Sequence, residues 1–382
     1  MAGAPIRTAL LCVALLSVAC EGAPGSGDDG GIRRIPIDTI PALDLGVVEG
    51  DTSELFSQVV GATRLGDGTV IVADRGSAQL KYFGADGRLA RAAGRKGTGP
   101  GEFGYMAGLL RCGDSLFVKD ISVRGHLAFG TDGGYGRTLR FEPPEVGRTP
   151  YTTVCSSDRS FFHFAFENIR VDGKIGVYRA NVPFWITDSE GAVVRVLGRF
   201  PGSERLGVPN GSRPLPLGKQ TAIALGNDRA YIGTADGYQI VVTDHSGGAL
   251  DTLRRDDVDL RTTPADIELF KQADLAGTNP TLRDGIERSY ATIPFPERIP
   301  AYSALILDRR GNLWVQDYPR GASPLVRWSI FSPTGALVAE TLLPARLEVY
   351  EIGEDYVLGK SLEAPYDVEH VRVYRFPALP GT

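Results

Sequence analysis

Short apolar runs separated by turns of Gly, Asp, Asn and Ser recur along the chain from about residue 59 to residue 376. The clearest copy is Thr63–Gly94. Gly66-Asp67-Gly68 marks a turn into the apolar strand Val70–Ala73, Arg75–Ser77 a second turn before Gln79–Phe83, and Ala85-Asp86-Gly87 a third before Arg88–Ala92. Asp-Gly supplies the positive backbone angles that tight hairpins need, and β-branched residues between the turns favour extended chain. Four short strands in succession make one antiparallel meander.

The inner hairpin of this unit recurs as Leu110–Asp120, Val154–Phe164, Ile223–Thr234, Ile306–Asp317 and Tyr350–Lys360, six copies with Thr63–Asp74. An outer hairpin follows as Gln79–Ala92, His126–Leu139, Pro183–Leu197, Tyr238–Leu253 and Val326–Leu342. The last copy runs out after the single strand Glu369–Phe376. The extended segment Arg34–Leu45 is unassigned, and its prolines are tolerable on an edge strand. Pairing it with Val371–Phe376 completes the last sheet and closes a ring, which removes exposed edges. The pattern therefore predicts an all-β, six-bladed β-propeller of four-stranded antiparallel blades over residues 34–378, with the N-terminal strand closing the last blade.

Two stretches break the spacing. Arg199–Leu217 is a Pro/Gly-rich excursion, and Arg255–Pro300 is a longer insertion before blade five, helical over about 256–300. Thr263-Pro264-Ala265-Asp266 is a helix start, with a capping Thr, Pro at the first helical position and an acid in the first turn. Ile267, Phe270 and Leu275 are expected to face inward, with a second helical segment over Pro280–Tyr290. Insertions on one face of a repeat fold shape binding sites or simply cover exposed sheet.

Gly68, Val72-Ala73-Asp74, Phe83, Asp86-Gly87 and Gly97-Thr98-Gly99-Pro100-Gly101-Glu102-Phe103 carry a family resemblance, echoed by Gly311-Asn312-Leu313-Trp314-Val315-Gln316-Asp317. Val59–Phe103 resembles an NHL-type repeat, and Arg34 to Phe376 resembles bacterial six-bladed β-propeller proteins. The resemblance implies the fold and no single activity.

The N-terminus adds an address. Arg7 precedes the apolar run Thr8–Val18, the length of a signal-peptide core and too short to span a bilayer. Leu15-Leu16-Ser17-Val18-Ala19-Cys20 resembles the lipobox of bacterial lipoproteins, which implies removal of residues 1–19 and lipidation of Cys20. Ser17-Val18-Ala19 also fits the small-x-small rule of ordinary signal peptidase, so simple secretion stays open. Residues 20–33, rich in Gly and polar in character, read as a flexible tether. The expected protein is exported and lipid-anchored to a bacterial membrane; Glu21 leaves outer-membrane sorting open.

Net charge of −5 and a pI near 5.6 over 382 residues give no electrostatic reason to expect nucleic acid. The predicted channel-lining strands are Gln58–Leu65, Tyr105–Cys112, Tyr151–Cys155, Gln220–Leu225, Tyr302–Leu307 and Arg346–Ile352. Their few acids include Glu348 and Glu351 from one blade, far from the six to eight oxygens of a calcium site. The four histidines lack zinc-ligand spacing. His163, in Phe161-Phe162-His163-Phe164, reads as a hydrogen-bonded core residue, and His126, His245 and His370 read as solvated. No metal or cofactor is expected, and no catalytic residue is assigned. Asp244-His245-Ser246 cannot form a triad relay from adjacent turn positions, and Gly94–Gly101 lacks the helix a phosphate loop needs. Asp74, Asp120 and Asp317 recur at the end of the second strand and suggest a structural role. Cys112 and Cys155 occupy equivalent places in adjacent blades, and an exported chain allows a disulfide if their Cα atoms lie within about 7 Å.

A functional surface is expected at the mouth carrying the strand-two-to-three turns and the blade-to-blade loops. Arg75, Arg124, Tyr151, Glu167, Asp236, Tyr318 and Arg320 fall there. Arg and Tyr around a funnel suit a small anionic or carbohydrate-like ligand, or a protein loop. The acid-poor inner strands favour a ligand- or protein-binding module over the alternative, a hydrolase or lyase (lactonase-like or similar) at the same mouth.

Overall fold

Gly68 adopts φ +92° and donates its N–H to Leu65 O at 3.1 Å, while Asp67 Oδ1 accepts the Thr69 N–H at 2.9 Å. This is the turn that Asp-Gly encodes, and it delivers the chain into Val70–Asp74. The computed structural model describes residues 32–47, 54–145, 150–165, 175–209, 211–321, 323–363, 366–377 and 379, the side chains of Tyr151 and Thr152 excepted. The N-terminal cysteine Cys20 and candidate Glu167 lie outside these residues. Arg33–Thr382 form one unit.

The described strands form six sheets with antiparallel meander order. The first contains Val59–Arg64, Val70–Asp74, Gln79–Phe83 and Leu89–Ala93. Its second strand is buried on both faces because it is sandwiched between neighbouring sheets. Ile71 and Ala73 pack toward the second sheet on Leu116, Val118 and Leu127. Val70 and Val72, one residue out of phase, pack toward the sixth sheet on Leu358 and Val371. Strand periodicity of two thus sends alternate side chains into two different cores. The same sharing recurs between sheets two and three, three and four, four and five, and five and six. The innermost strands of the six sheets also touch in a closed cycle.

Leu43–Leu45 pairs antiparallel with Val371–Val373 and completes the sixth sheet. The expected single strand over Arg34–Leu45 is divided, however. Arg33–Arg34 runs parallel to Ala339–Glu340 of the fifth sheet, and Ile35, 4% exposed, is fixed there by Thr341 Oγ1 donating to its carbonyl at 2.7 Å. Pro36 and Pro41 cannot donate to a ladder, so pairing lapses between the two attachments.

The Arg199–Leu217 excursion between the third and fourth sheets is ordered mostly as strand. Val193–Val208 is one long strand paired with Gly176–Thr187, extended by Gly211–Pro214. Register shifts beside Asn181 and Phe184 absorb Pro201 and Gly198 without ending the ladder.

The insertion before the fifth sheet contains helix α1 (Pro264–Ala276), the short 3-10 turn Pro280–Leu282 and helix α2 (Arg283–Ser289). Thr263 and Asp266 cap α1 reciprocally, the Thr263 N–H donating to Asp266 Oδ2 at 2.8 Å and the Asp266 N–H to Thr263 Oγ1 at 3.3 Å. Ile267 and Phe270 pack on the core between sheets four and five, and Leu275 joins a smaller cluster with Leu215, Tyr290 and Ile293.

Candidate functional site

The inner strands enclose a channel of about 240 Å³, walled largely by Leu110, Val154, Leu225 and Ile306 from four different sheets. Glu351 is the carboxylate in that lining, and its oxygens are occupied. Oε1 accepts from Arg309 Nη2 at 2.8 Å and from the Tyr356 hydroxyl, and Oε2 accepts from Thr63 Oγ1. Glu348 is paired with Lys360 at 3.1 Å. The two acids named from sequence therefore act as hydrogen-bond acceptors within the fold. Among the described residues, no three of His, Cys, Asp and Glu gather as a metal site would require.

At one end of the channel the insertion stands beside the segment Gly211–Gln220 and leaves a cavity of about 520 Å³. Its walls are mainly apolar and aromatic: Phe270, Ile286, Tyr290, Ile293, Tyr302 and Tyr318. Phe270 and Tyr290 meet edge to face with ring centroids 6.4 Å apart. The Tyr290 hydroxyl donates to Asp274 Oδ2 at 2.7 Å; burial, then this carboxylate, pushes the phenol up to about 12. The Tyr302 hydroxyl donates to Gln239 O at 2.7 Å and accepts the Ala235 N–H at 3.1 Å, and burial raises it as well. Burial, then the charge of Asp266, pushes Tyr318 up to about 12. These phenols stay neutral near pH 7, where they can donate hydrogen bonds.

Of the candidate mouth residues, Tyr318 borders this cavity. Arg320 lies in the base of the insertion, bound to Asp266 Oδ2 at 2.9 Å and to the carbonyls of Asp259 and Arg261 at 2.5 and 2.7 Å. The remaining described candidates are held elsewhere. Arg75 Nε donates to Gln58 Oε1 at 2.9 Å, and its guanidinium lies 4.8 Å from the Tyr105 ring centroid. Asp236 pairs with Arg179 at 2.8 Å. Arg124 sits exposed in a turn at φ +50°, and Tyr151 lies in the strand Pro150–Cys155. Reasoning from the repeat missed Arg213, Ile286, Tyr290 and Ile293. The last three follow a helical i, i+4, i+7 spacing, which was the available signal.

The other chemically suggestive residues have structural partners. Asp74 accepts from the Ser57 N–H at 3.0 Å and Ser77 Oγ at 2.7 Å, and Asp120 from the Gly104 N–H at 2.9 Å and Ser122 N–H at 2.8 Å. Each thus ties the following turn to the loop that enters its own sheet. Asp317 departs from this, accepting from Arg327 Nε and the Tyr238 hydroxyl at 2.7 and 3.1 Å. Cys112 and Cys155 are disulfide-bonded with Cα atoms 5.8 Å apart, joining the inner strands of sheets two and three.

His163 is buried between Thr153 Oγ1 at 3.0 Å and Thr187 Oγ1 at 2.9 Å. His126 is not solvated: it is 4% exposed, 5.0 Å from the Phe141 ring, because its strand faces the third sheet rather than water. His370 is also shielded, with Nδ1 2.7 Å from Asp44 Oδ1, and His245 turns to Gly226 O at 3.0 Å. Asp244 caps its own turn through Ser246 and Gly248, so no relay exists there.

No family model matches the chain, and no curated protein matches it by sequence. Solved structures do match. A member of the DUF4221 family from Bacteroides vulgatus is 9% identical, with 91% of this chain and 100% of that one covered at a TM-score of 0.52. A candidate exported protein of Bacteroides fragilis is 14% identical, covering 90% of this chain and 95% of that one at 0.49. Virginiamycin B lyase from Staphylococcus aureus is 11% identical, covering 89% and 99% at 0.40. The similar structures are propeller-like proteins, and the six antiparallel sheets agree with that architecture. At 9% identity the likeness to the DUF4221 protein speaks to fold alone.

Proposed function

We propose that this chain is an exported, membrane-tethered six-bladed β-propeller with NHL-type repeats that binds a small ligand or a protein loop, without catalysis, at the mouth flanked by its helical insertion. The observation that carries this reading is the cavity of about 520 Å³ beside that insertion: the helices leave a concave, aromatic-walled space instead of sealing the sheet edges. Pockets of this size with few polar groups suit small molecules. The cyclic sharing of cores among six sheets supports six blades. The apolar N-terminal run and the Cys20 motif support export and a lipid anchor at a bacterial membrane, and the name of the Bacteroides fragilis structure agrees with export.

The test is incubation of the full chain with small-molecule fractions of a bacterial envelope extract, followed by thermal unfolding and mass spectrometry of what is recovered. A ligand present at a hundredfold its dissociation constant stabilises by about 2.7 kcal/mol. The expected result is a raised midpoint with the compound recovered chemically unchanged. Recovery of a hydrolysed or eliminated product would instead make the protein a hydrolase or lyase.

A further inference from the structure

The insertion cavity offers two kinds of surface to a ligand. Its interior is aromatic and aliphatic, with Phe270, Ile286, Tyr290 and Ile293 contributed by the two helices and the segment just after them. The polar groups divide into occupied and unoccupied. Tyr290, Asp274 and Tyr302 are committed to bonds within the protein. Among the described residues, the Tyr318 hydroxyl, the exposed Arg213 guanidinium and the exposed Gln220 carboxamide have no hydrogen-bond or ion-pair partner, and all three line the cavity. The uncommitted groups are thus a neutral phenol, a permanent cation and a neutral amide, all able to donate, and none of them a carboxylate. The one carboxylate of the lining, Asp274, already accepts from Tyr290.

Resting on the binding-module reading, we propose that this cavity takes a small molecule with an apolar, aromatic body and a single anionic group. The body lies against Phe270, Tyr290 and Ile293, and edge-to-face ring contacts orient it. The anion meets Arg213 at the rim, where the planar guanidinium can donate two parallel hydrogen bonds to a carboxylate or sulfonate. Tyr318 donates one further bond from the channel side. A purely polar sugar is disfavoured, because the interior would strip its hydroxyls of water without replacing those bonds.

Two fluorescent probes separate the terms: anionic 8-anilino-1-naphthalenesulfonate and neutral N-phenyl-1-naphthylamine, titrated into the full chain. The expected result is saturable binding of one equivalent of the sulfonate, with the neutral probe about tenfold weaker or more. Arg213→Gln is expected to weaken the sulfonate about tenfold and leave the neutral probe unchanged, a charge-assisted bond at a partly exposed rim being about 1.4 kcal/mol. Ile286→Trp fills the cavity from half-exposed α2 and is expected to abolish binding of both probes, with the unfolding midpoint confirming that the variant folds. Ile293→Trp serves as the second filling variant if that one does not fold. Equal affinity for the two probes, or an unchanged sulfonate affinity in Arg213→Gln, overturns the anionic assignment. Binding that survives both filling substitutions, or no binding of either probe, overturns the cavity as the site. An envelope-extract ligand that still stabilises the filled variants would keep the binding-module reading while rejecting this inference.

Discussion

Lys81 Nζ and Asp74 Oδ2 form a 3.0 Å ion pair inside the first sheet, with each side chain 1% exposed. The ammonium also donates to Leu55 O at 2.7 Å, and Asp74 accepts from Ser57 and Ser77, so every charge has local partners. Breaking such a pair from one side leaves an uncompensated buried charge and costs about 3–5 kcal/mol. Asp74→Ala and Lys81→Met are each expected to destabilise by that amount in urea unfolding. The double variant should cost well under their sum, because neither charge is then stranded. Additive losses would show that the two side chains act independently.

Acid should loosen the contact between the second and third sheets. Burial first, then the charge of Lys119, depresses His126 to about 3, and His163 is shifted down for the same principal reason, with His126 and Lys119 adding to it. An unfolded histidine binds its proton near 6.5, so between about pH 3 and 6.5 the unfolded state carries more protons. Their contribution is therefore complete above about pH 6.5 and is lost as pH falls, by about 1.4 kcal/mol per pH unit per histidine. Replacing His126 with Phe is expected to reduce the slope of stability against pH between 4 and 6 by that amount. An unchanged slope would mean that His126 is accessible to solvent.

The blade pattern was legible because each turn carries its own chemistry: Gly68 and Gly87 hold positive φ where Asp-Gly predicts it. The capped start of α1 was legible for the same local reason. What escaped depended on partners distant in sequence. Val193–Val208 runs through Gly198 and Pro201 because the opposing strand shifts register to receive them. His126 reads as an outer-strand residue, and its burial comes from Phe141 and the neighbouring sheet. The mouth candidates were placed by the repeat, yet Arg75 and Asp236 are held by partners that no spacing rule reveals. Tyr318 was placed by the repeat, whereas Arg213 and Tyr290 belong to segments outside it.

The disulfide closes a 43-residue separation and joins two sheets whose shared core is small, with Cys112 itself part of that core. A loop of that length corresponds to about 4 kcal/mol of unfolded-state entropy. Reduction, or Cys155→Ser, is expected to lower the unfolding midpoint by several degrees, and added reductant should have no further effect on the variant. A midpoint indifferent to reductant in the unaltered chain would mean that the bond does not form in the folded protein.

The proposed membrane anchor depends on the Cys20 sulfur. Two acyl signals are needed for stable anchoring, and a lipidated N-terminal cysteine supplies them. Cys20→Ser is expected to move the protein from the membrane pellet to the soluble extracytoplasmic fraction and to remove the acyl mass from its N-terminal peptide. Full retention in the pellet would reject the anchor.

The helical insertion is fastened through Asp266, and this fastening can be tested apart from the fold. Asp266 caps α1 with Thr263 and binds Arg320, whose other donors reach the carbonyls of Asp259 and Arg261. Although burial works against it, Arg320 and the Thr263 bonds hold the carboxyl below its ordinary value. Its contribution is therefore present at neutral pH and is lost as pH falls through the folded value. Arg320 is 34% exposed, so the pair itself contributes about 1 kcal/mol or less, while loss of the cap adds about 1 kcal/mol. Neither residue belongs to the cores shared between sheets, so Arg320→Ala is expected to leave global stability nearly unchanged. Amide exchange over Pro264–Ala276 should accelerate several-fold, because local opening reports the fastening that holds α1. Since α1 carries Phe270 into the cavity wall, probe affinity should fall in step with that exchange. Equal acceleration in the strands would mean that the insertion and the sheets unfold as one unit.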